Sequence, residues 1–261
     1  MTINKYEAAY FSSVSYDDND PNFNLDQSYK NQGWTKLTDS DKLKSSSDDY
    51  YGTCYVKVVN GAVTDVVIAH RGTEANLSDI IVSDGAIALN LPTNNQVDNA
   101  NGFVDKLKVE FQSQYGIDAE FDSITTQTGH SLGGYLAIKA ANNQSSSTSH
   151  IKAITFDNPK AGFTAATNKA DVETYLNQPN IVNSAGSGDH VGKVYRLDAE
   201  SAVFDNKVIA TLNVMVAQTV SYSLATIAVL STIPAIGIPY AALTTLIVAQ
   251  TAQEHLINSY Q

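Results

Sequence analysis

The sequence predicts an α/β fold with a mostly parallel central sheet flanked by helices. Residues 63–69 form a nearly continuous Val/Ile run after an Asn60-Gly61 turn, as expected of a buried strand entered from a hairpin. Short β-branched segments recur at 123–128, 150–156 and 180–186. Segments of helical composition lie between them, and this alternation favours a parallel sheet.

Helical spacing is clearest in residues 100–115, where Phe103, Leu107 and Phe111 recur at every fourth position. The remaining predictions are helices at 76–90, 132–141 and 170–176, and short helices and loops over residues 1–50. No internal repeat and no convincing linker divides the chain. We therefore predict a single domain over residues 1–261.

The composition excludes several classes of protein. The net charge of −11 would repel a phosphate backbone, so nucleic acid is not an expected partner. Cys54 is the single cysteine, so an intrachain disulfide cannot form. No Cys/His cluster has metal-binding spacing, and we expect neither a metal nor a cofactor. The sequence does not indicate an oligomeric state.

The first twenty residues lack the apolar core of a secretory signal peptide. The expectation from this stretch is a cytoplasmic protein, or one secreted by a route without a cleaved signal peptide.

Residues 208–253 contain no charged side chain. Pro234, Gly237 and Pro239 split this segment, which predicts an apolar helical hairpin. Three interpretations stay open at this point. The hairpin is a buried pair of helices closing the core, a surface that contacts membrane or lipid, or a membrane-spanning segment.

The stretch TGHSLGG at 128–134 places Ser131 between two glycines, Gly129 and Gly133. A predicted strand precedes it and a predicted helix follows, as in the sharp turn that presents a serine nucleophile. The glycines would remove clashes across that turn. The N–H of Leu132, at the start of the helix, would be one oxyanion donor.

A serine nucleophile needs a base and an orienting carboxylate, in the chain order Ser, acid, His for a turn of this kind. His255 is the favoured base because it follows the last apolar segment, whereas His150 precedes any good acid and His190 adjoins Asp189. The acid is Asp189 or Asp157. Each follows a predicted strand, so the sequence pattern leaves both open.

Four further segments complete a resemblance to the class 3, fungal-type lipases. They are AHRGTE at 69–74, NANGF at 99–103, TFDNPKAG at 155–162 and GDHVG at 188–192. Together with TGHSLGG, they follow the order of that family's motifs over roughly residues 55–195. The resemblance implies an α/β-hydrolase fold and a serine hydrolase that cleaves carboxylic esters of lipids.

The resemblance also implies roles for individual residues. Ser131 would be the nucleophile, Asp189 the acid and His255 the base, with Thr73 as the second oxyanion donor. The sequence departs from the family at two of these segments. His70 stands where the family has an apolar residue, and Asp157 stands where it usually has Gly.

The expected substrate is thus a lipid or another ester, with membrane or lipid contact through residues 208–253. Two alternatives stay open. One is a soluble small-ester hydrolase or thioesterase, and the other is a non-catalytic, membrane-inserting protein on a hydrolase scaffold.

Overall fold

The computed structural model of the chain describes residues 3–17, 23–43, 50–72, 94–116, 121–176, 183 and 186–196. Their helices are α1 (Lys5–Val14), α2 (Gln27–Asn31), α3 (Asn94–Tyr115), α4 (Phe121–Ile124) and α5 (Leu132–Gln144). Their strands are β1 (Trp34–Asp39), β2 (Gly52–Val59), β3 (Ala62–His70), β4 (Thr125–His130), β5 (Lys152–Phe156), β6 (Lys160–Ala161), β7 (Asp171–Leu176), β8 (Gly186–Ser187) and β9 (Lys193–Arg196).

The main sheet has the strand order β1-β2-β3-β4-β5-β7-β9. β1, β2 and β3 pair antiparallel, and every pair from β3 to β9 is parallel. The parallel strands therefore end at one common edge. The short strands β6 and β8 pair with each other outside this sheet.

The predicted hairpin is present between β2 and β3. Asn60 has φ 52° and Gly61 has φ 81°, the left-handed values that a two-residue turn between twisted strands requires. The following Val/Ile run is buried because both faces of the sheet are covered. On one face, Val67 belongs to a hydrophobic cluster with Phe11 of α1. On the opposite face, Val66 belongs to a cluster with Leu107 of α3.

The predicted stripe on residues 100–115 is also confirmed. Phe103, Leu107 and Phe111 of α3 are completely buried. Among the described helices, none is long and apolar enough to cross a membrane.

Two secondary-structure predictions were wrong. Residues 170–176 were predicted as a short helix, but they form strand β7 between β5 and β9. A helix of this length is marginal, and the pattern Val172, Thr174, Leu176 suits a buried strand. Residues 34–39, predicted as helix or loop, form β1 against β2.

Three other predictions fall largely or wholly beyond the described residues. In the predicted strand 180–186, only residues 183 and 186 are described, and Gly186 belongs to β8 rather than to the main sheet. The predicted helix at 76–90 and the apolar hairpin at 208–253 lie outside the described residues.

Candidate active site

Ser131 forms a sharp turn between β4 and α5. β4 ends at His130 and α5 begins at Leu132, so Ser131 alone makes the connection. Its backbone has φ 58° and ψ −129°, a region that residues with a side chain rarely adopt. The Ser131 N–H donates to the Phe156 carbonyl at 3.0 Å, and the Ser131 carbonyl accepts from the Gly134 N–H at 3.0 Å. These bonds hold the turn at the carboxyl ends of β4 and β5.

The two glycines flanking this turn leave no room for side chains. A Cβ on Gly129 would overlap the carbonyl group of Gly133. A Cβ on Gly133 would overlap the carbonyl oxygen of His70, at the end of β3. Backbone therefore packs directly on backbone here, which glycine alone permits.

The backbone that leaves β3 passes beside Ser131. A Cβ on Gly72 would lie 3.4 Å from the Ser131 Cβ and 2.7 Å from the His130 carbonyl oxygen. The next residue is Thr73, the predicted second oxyanion donor, which lies outside the described residues. On the other side of the turn, the Leu132 N–H belongs to the first turn of α5. N–H groups in that position have no acceptor within their own helix.

His70 is buried in the core below this turn. Its Nε2 lies 2.7 Å from Gln127 Oε1 and its Nδ1 lies 3.1 Å from the Tyr50 hydroxyl. Burial lowers the pKa of His70 to about 4, although the hydrogen bond to Gln127 favours the charged ring. The ring is therefore neutral near pH 7, donating to Gln127 and accepting from Tyr50. These hydrogen-bond partners explain how a histidine occupies a position that is apolar in the family that the sequence resembles.

The low pKa of His70 predicts a loss of stability in mild acid. Unfolded His70 binds a proton below about pH 6.5, whereas folded His70 does not until about pH 4. The unfolded state thus binds more protons between these values, and the free energy of unfolding should fall by about 2 kcal/mol from pH 7 to pH 5 on this account. The lowered pKa of His190, caused mainly by burial, acts in the same direction.

Urea unfolding at both pH values checks this prediction. His70→Gln supplies a neutral donor and acceptor, and it should lose about 2 kcal/mol less than wild type on acidification. His150→Gln removes an exposed histidine and serves as the control. An equal pH dependence in wild type and His70→Gln would show that His70 does not resist protonation.

His130 and His150 lie at opposite ends of the parallel strands. His130 directly precedes Ser131, is buried, and has its Nδ1 3.1 Å from the Tyr16 hydroxyl. His150 precedes β5, so it lies at the amino end of the parallel strands, away from Ser131. This position argues against His150 as a base for Ser131.

Asp189, the favoured acid, lies on the connection between β7 and β9, and its side chain is exposed. Its N–H donates to the Phe163 carbonyl at 3.2 Å. His255, the favoured base, lies outside the described residues. The structure therefore places Ser131 and Asp189 but not the histidine predicted to join them.

Asp157, the alternative acid, lies at the carboxyl end of β5 and is fully buried. Its carboxylate accepts a hydrogen bond of 2.6 Å from the Asn183 side-chain amide. The Asn183 carbonyl in turn accepts one of 2.7 Å from His190 Nε2. Asn183 was not among the residues predicted for the site. The available signal was weak, since an asparagine near the end of a predicted strand is common in turns.

Comparison with known proteins identifies the fold. No protein-family model matches the sequence, and no curated protein matches it. Solved structures do. The Rhizomucor miehei lipase propeptide complex is 16% identical over 75% of this chain and 69% of that chain, with a TM-score of 0.51. The nonglycosylated Yarrowia lipolytica LIP2 lipase is 15% identical over 75% of this chain and 79% of that chain, with a TM-score of 0.52.

The chain has the fold of fungal lipases. The α/β-hydrolase fold that the sequence motifs implied is thus confirmed, with its mostly parallel sheet and flanking helices. Within the part of the chain that the structure describes, no group of His, Cys, Asp and Glu side chains could hold a metal ion.

Proposed function

We propose that this chain is a serine hydrolase that cleaves carboxylic esters of lipids, as a lipase or a phospholipase A does. Ser131 is the nucleophile, His255 the general base and Asp189 the carboxylate that orients His255. His255 removes the hydroxyl proton while Ser131 Oγ attacks the ester carbonyl carbon. The backbone N–H groups of Leu132 and Thr73 stabilise the negative charge on the carbonyl oxygen.

The second half of the cycle regenerates the serine. The tetrahedral intermediate collapses, the C–O bond to the alcohol breaks, and His255 donates its proton to the leaving alkoxide. Water then attacks the acyl-enzyme as His255 takes its proton, and the carboxylic acid leaves Ser131 with its proton restored. The cycle needs no cofactor.

The conformation of Ser131 carries this proposal. For a residue with a Cβ, the conformation with φ 58° and ψ −129° costs about 1–3 kcal/mol. Such strain is concentrated at functional sites. The Ser131 hydroxyl does not cap the helix that follows it, so helix capping does not explain the strained conformation. The same turn places the N-terminus of α5 beside the serine, where negative charge would develop.

Two observations support lipid esters as the substrate class. The two solved structures compared above, with TM-scores of 0.51 and 0.52, are both lipases. In addition, residues 208–253 offer a long uncharged segment that ends two residues before His255, suited to contact with acyl chains.

Product analysis on vesicles that contain both phospholipid and triglyceride tests the substrate class. We expect free fatty acid to be released by wild type but not by Ser131→Ala. Hydrolysis of short-chain p-nitrophenyl esters alone, with no rise at a lipid interface, would instead indicate a small-ester hydrolase or thioesterase. Vesicle damage that persists in Ser131→Ala would indicate a non-catalytic, membrane-inserting protein.

A charge within the uncharged segment should separate lipid from soluble substrates. We propose that residues 208–253 contact lipid through the stretch around Ile236, between Pro234 and Pro239. Ile236→Asp should therefore weaken binding to zwitterionic vesicles and slow long-chain lipid turnover. It should spare hydrolysis of a soluble short-chain ester, because it leaves the three proposed catalytic residues unchanged.

Val109→Asp supplies the matched control, because Val109 of α3 is 69% exposed and the change adds the same charge. A parallel loss of both activities in Ile236→Asp, with a lower Tm, would contradict lipid contact. That result would indicate an unpaired carboxylate in the core.

A further inference from the structure

The segment that carries Asp189 is attached to the protein body at several points. β8 pairs with β6, and the Asp189 N–H donates to the Phe163 carbonyl at 3.2 Å. Gly188 lies so close to this chain that a Cβ would come within 2.6 Å of the Phe163 carbonyl oxygen. These contacts fix the backbone of the Asp189 segment on one side.

Asp157 lies on the other side, next to the nucleophile. It follows Phe156, whose carbonyl accepts the Ser131 N–H at 3.0 Å. The Asp157 N–H donates to the Tyr175 carbonyl of β7 at 2.8 Å, and its φ is 46°. The completely buried carboxylate is therefore held by backbone that belongs to the same strand ends as Ser131.

Asn183 joins these two regions. Its side-chain amide donates to Asp157 at 2.6 Å, and its carbonyl accepts from His190 Nε2 at 2.7 Å. Asn183 is 1% exposed and Asp157 is fully buried, so the bond between them lies in a low-dielectric interior, where it is stronger than in water. The bond to His190 is partly buried.

His190 is the last residue in this series of hydrogen bonds, and it acts as a donor. Burial is the main cause of its lowered pKa, so the ring is neutral near pH 7 and carries one N–H. That N–H is used on Asn183. His190 follows Asp189 directly, so the ring ties the backbone of the favoured acid to the end of β5.

We propose that Asp157, Asn183 and His190 are positioning residues for the hydrolysis. They form a hydrogen-bonded relay that holds Asp189 in the correct position relative to Ser131. This inference rests on the proposed function, because it assigns the relay to the acid of that reaction. The relay acts through geometry: an orienting carboxylate displaced by about 1 Å can cost about 10²-fold in rate. It gives Asp157 a role beside Asp189 rather than in place of it.

Exchanging the ends of the Asp157–Asn183 bond tests the relay. Asn183→Leu replaces the amide by an apolar group of the same branched shape and should lower kcat by about 10²-fold with KM changed by less than about threefold. Asn183→Asp places two carboxylates at hydrogen-bond distance and should lose at least as much. The double variant Asp157→Asn/Asn183→Asp restores a carboxylate–amide bond with the roles exchanged, so it should recover most of the kcat lost in Asn183→Asp.

Asn142→Leu is the matched control. It removes an asparagine whose Oδ1 accepts a 2.6 Å bond from the Lys169 N–H, near the end of α5 and the start of β7, away from the carboxyl end of β5 where Asp157 lies. It should lower Tm and leave kcat unchanged.

A kcat of Asn183→Leu equal to that of Asn142→Leu would overturn the relay. So would a double variant as inactive as Asn183→Asp, since that result would place the essential charge at position 157 itself. Failure of the proposed function looks different: wild type would then hydrolyse no ester faster than Ser131→Ala, and the inference would fall with it.

Discussion

Ser131→Ala is expected to lower kcat for ester hydrolysis by about 10⁶-fold, the scale of loss when a hydrolase loses its nucleophile. The side chain changes by one oxygen atom, and the strained backbone keeps its Cβ, so the fold and Tm should stay close to wild type. Steady-state kinetics with a short-chain ester, together with a thermal melt, measures both quantities. Activity within tenfold of wild type in the folded variant would remove Ser131 from the mechanism.

A second substitution at the same position isolates the strain. Ser131→Gly loses the same hydroxyl, but glycine adopts φ 58° without the cost borne by a residue with a Cβ. It should be as inactive as Ser131→Ala and at least as stable, because relief of about 1–3 kcal/mol of strain offsets the greater entropy of the unfolded glycine. A large fall in stability in the glycine variant would argue against strain at this turn.

Asp189→Asn is expected to lower kcat by about 10⁴-fold, the scale known for a triad whose histidine loses its orienting carboxylate. Asp157→Asn should cost far less, about tenfold, because the new amide oxygen still accepts from Asn183 and only a positioning contact is weakened. Parallel kinetics of the two variants, each with a thermal melt, measures the difference.

The comparison is informative because the sequence pattern leaves both carboxylates open as the acid of the reaction. A 10⁴-fold loss in Asp157→Asn with a nearly active Asp189→Asn would reverse the assignment. Asp157 would then be the acid, and the exposed Asp189 would have no part in the reaction.

Local signals in the sequence predicted much of the fold. Asn60-Gly61 indicated a hairpin because both positions need left-handed backbone, and the structure has it. The buried stripe of α3 was predicted from its helical spacing, and the buried strand β3 from its continuous Val/Ile run. Both signals depend on neighbouring residues alone. The turn at Ser131 was predictable for the same reason, since its glycines lie within two residues of it.

Features that depend on distant residues were missed. Strand β7 is fixed by its pairing with β5 and β9, which outweighs the local helical composition of residues 170–176. The bond between Asp157 and Asn183 joins residues that are 26 positions apart, so nothing local in either segment predicts it. The partners of His70 likewise come from a neighbouring strand and a distant tyrosine, so a buried histidine could not be distinguished from a surface one.

Labelling with a fluorophosphonate, followed by peptide mass mapping, tests whether Ser131 is an activated nucleophile. The reagent forms a covalent adduct with a serine that is activated as a nucleophile, and it requires no knowledge of the natural ester. We predict one adduct, on Ser131 of the folded wild-type protein, and none on Ser131→Ala or on wild type unfolded in urea. Folded wild-type protein that remains unlabelled, or that is labelled on another serine while Ser131 stays unmodified, would contradict it.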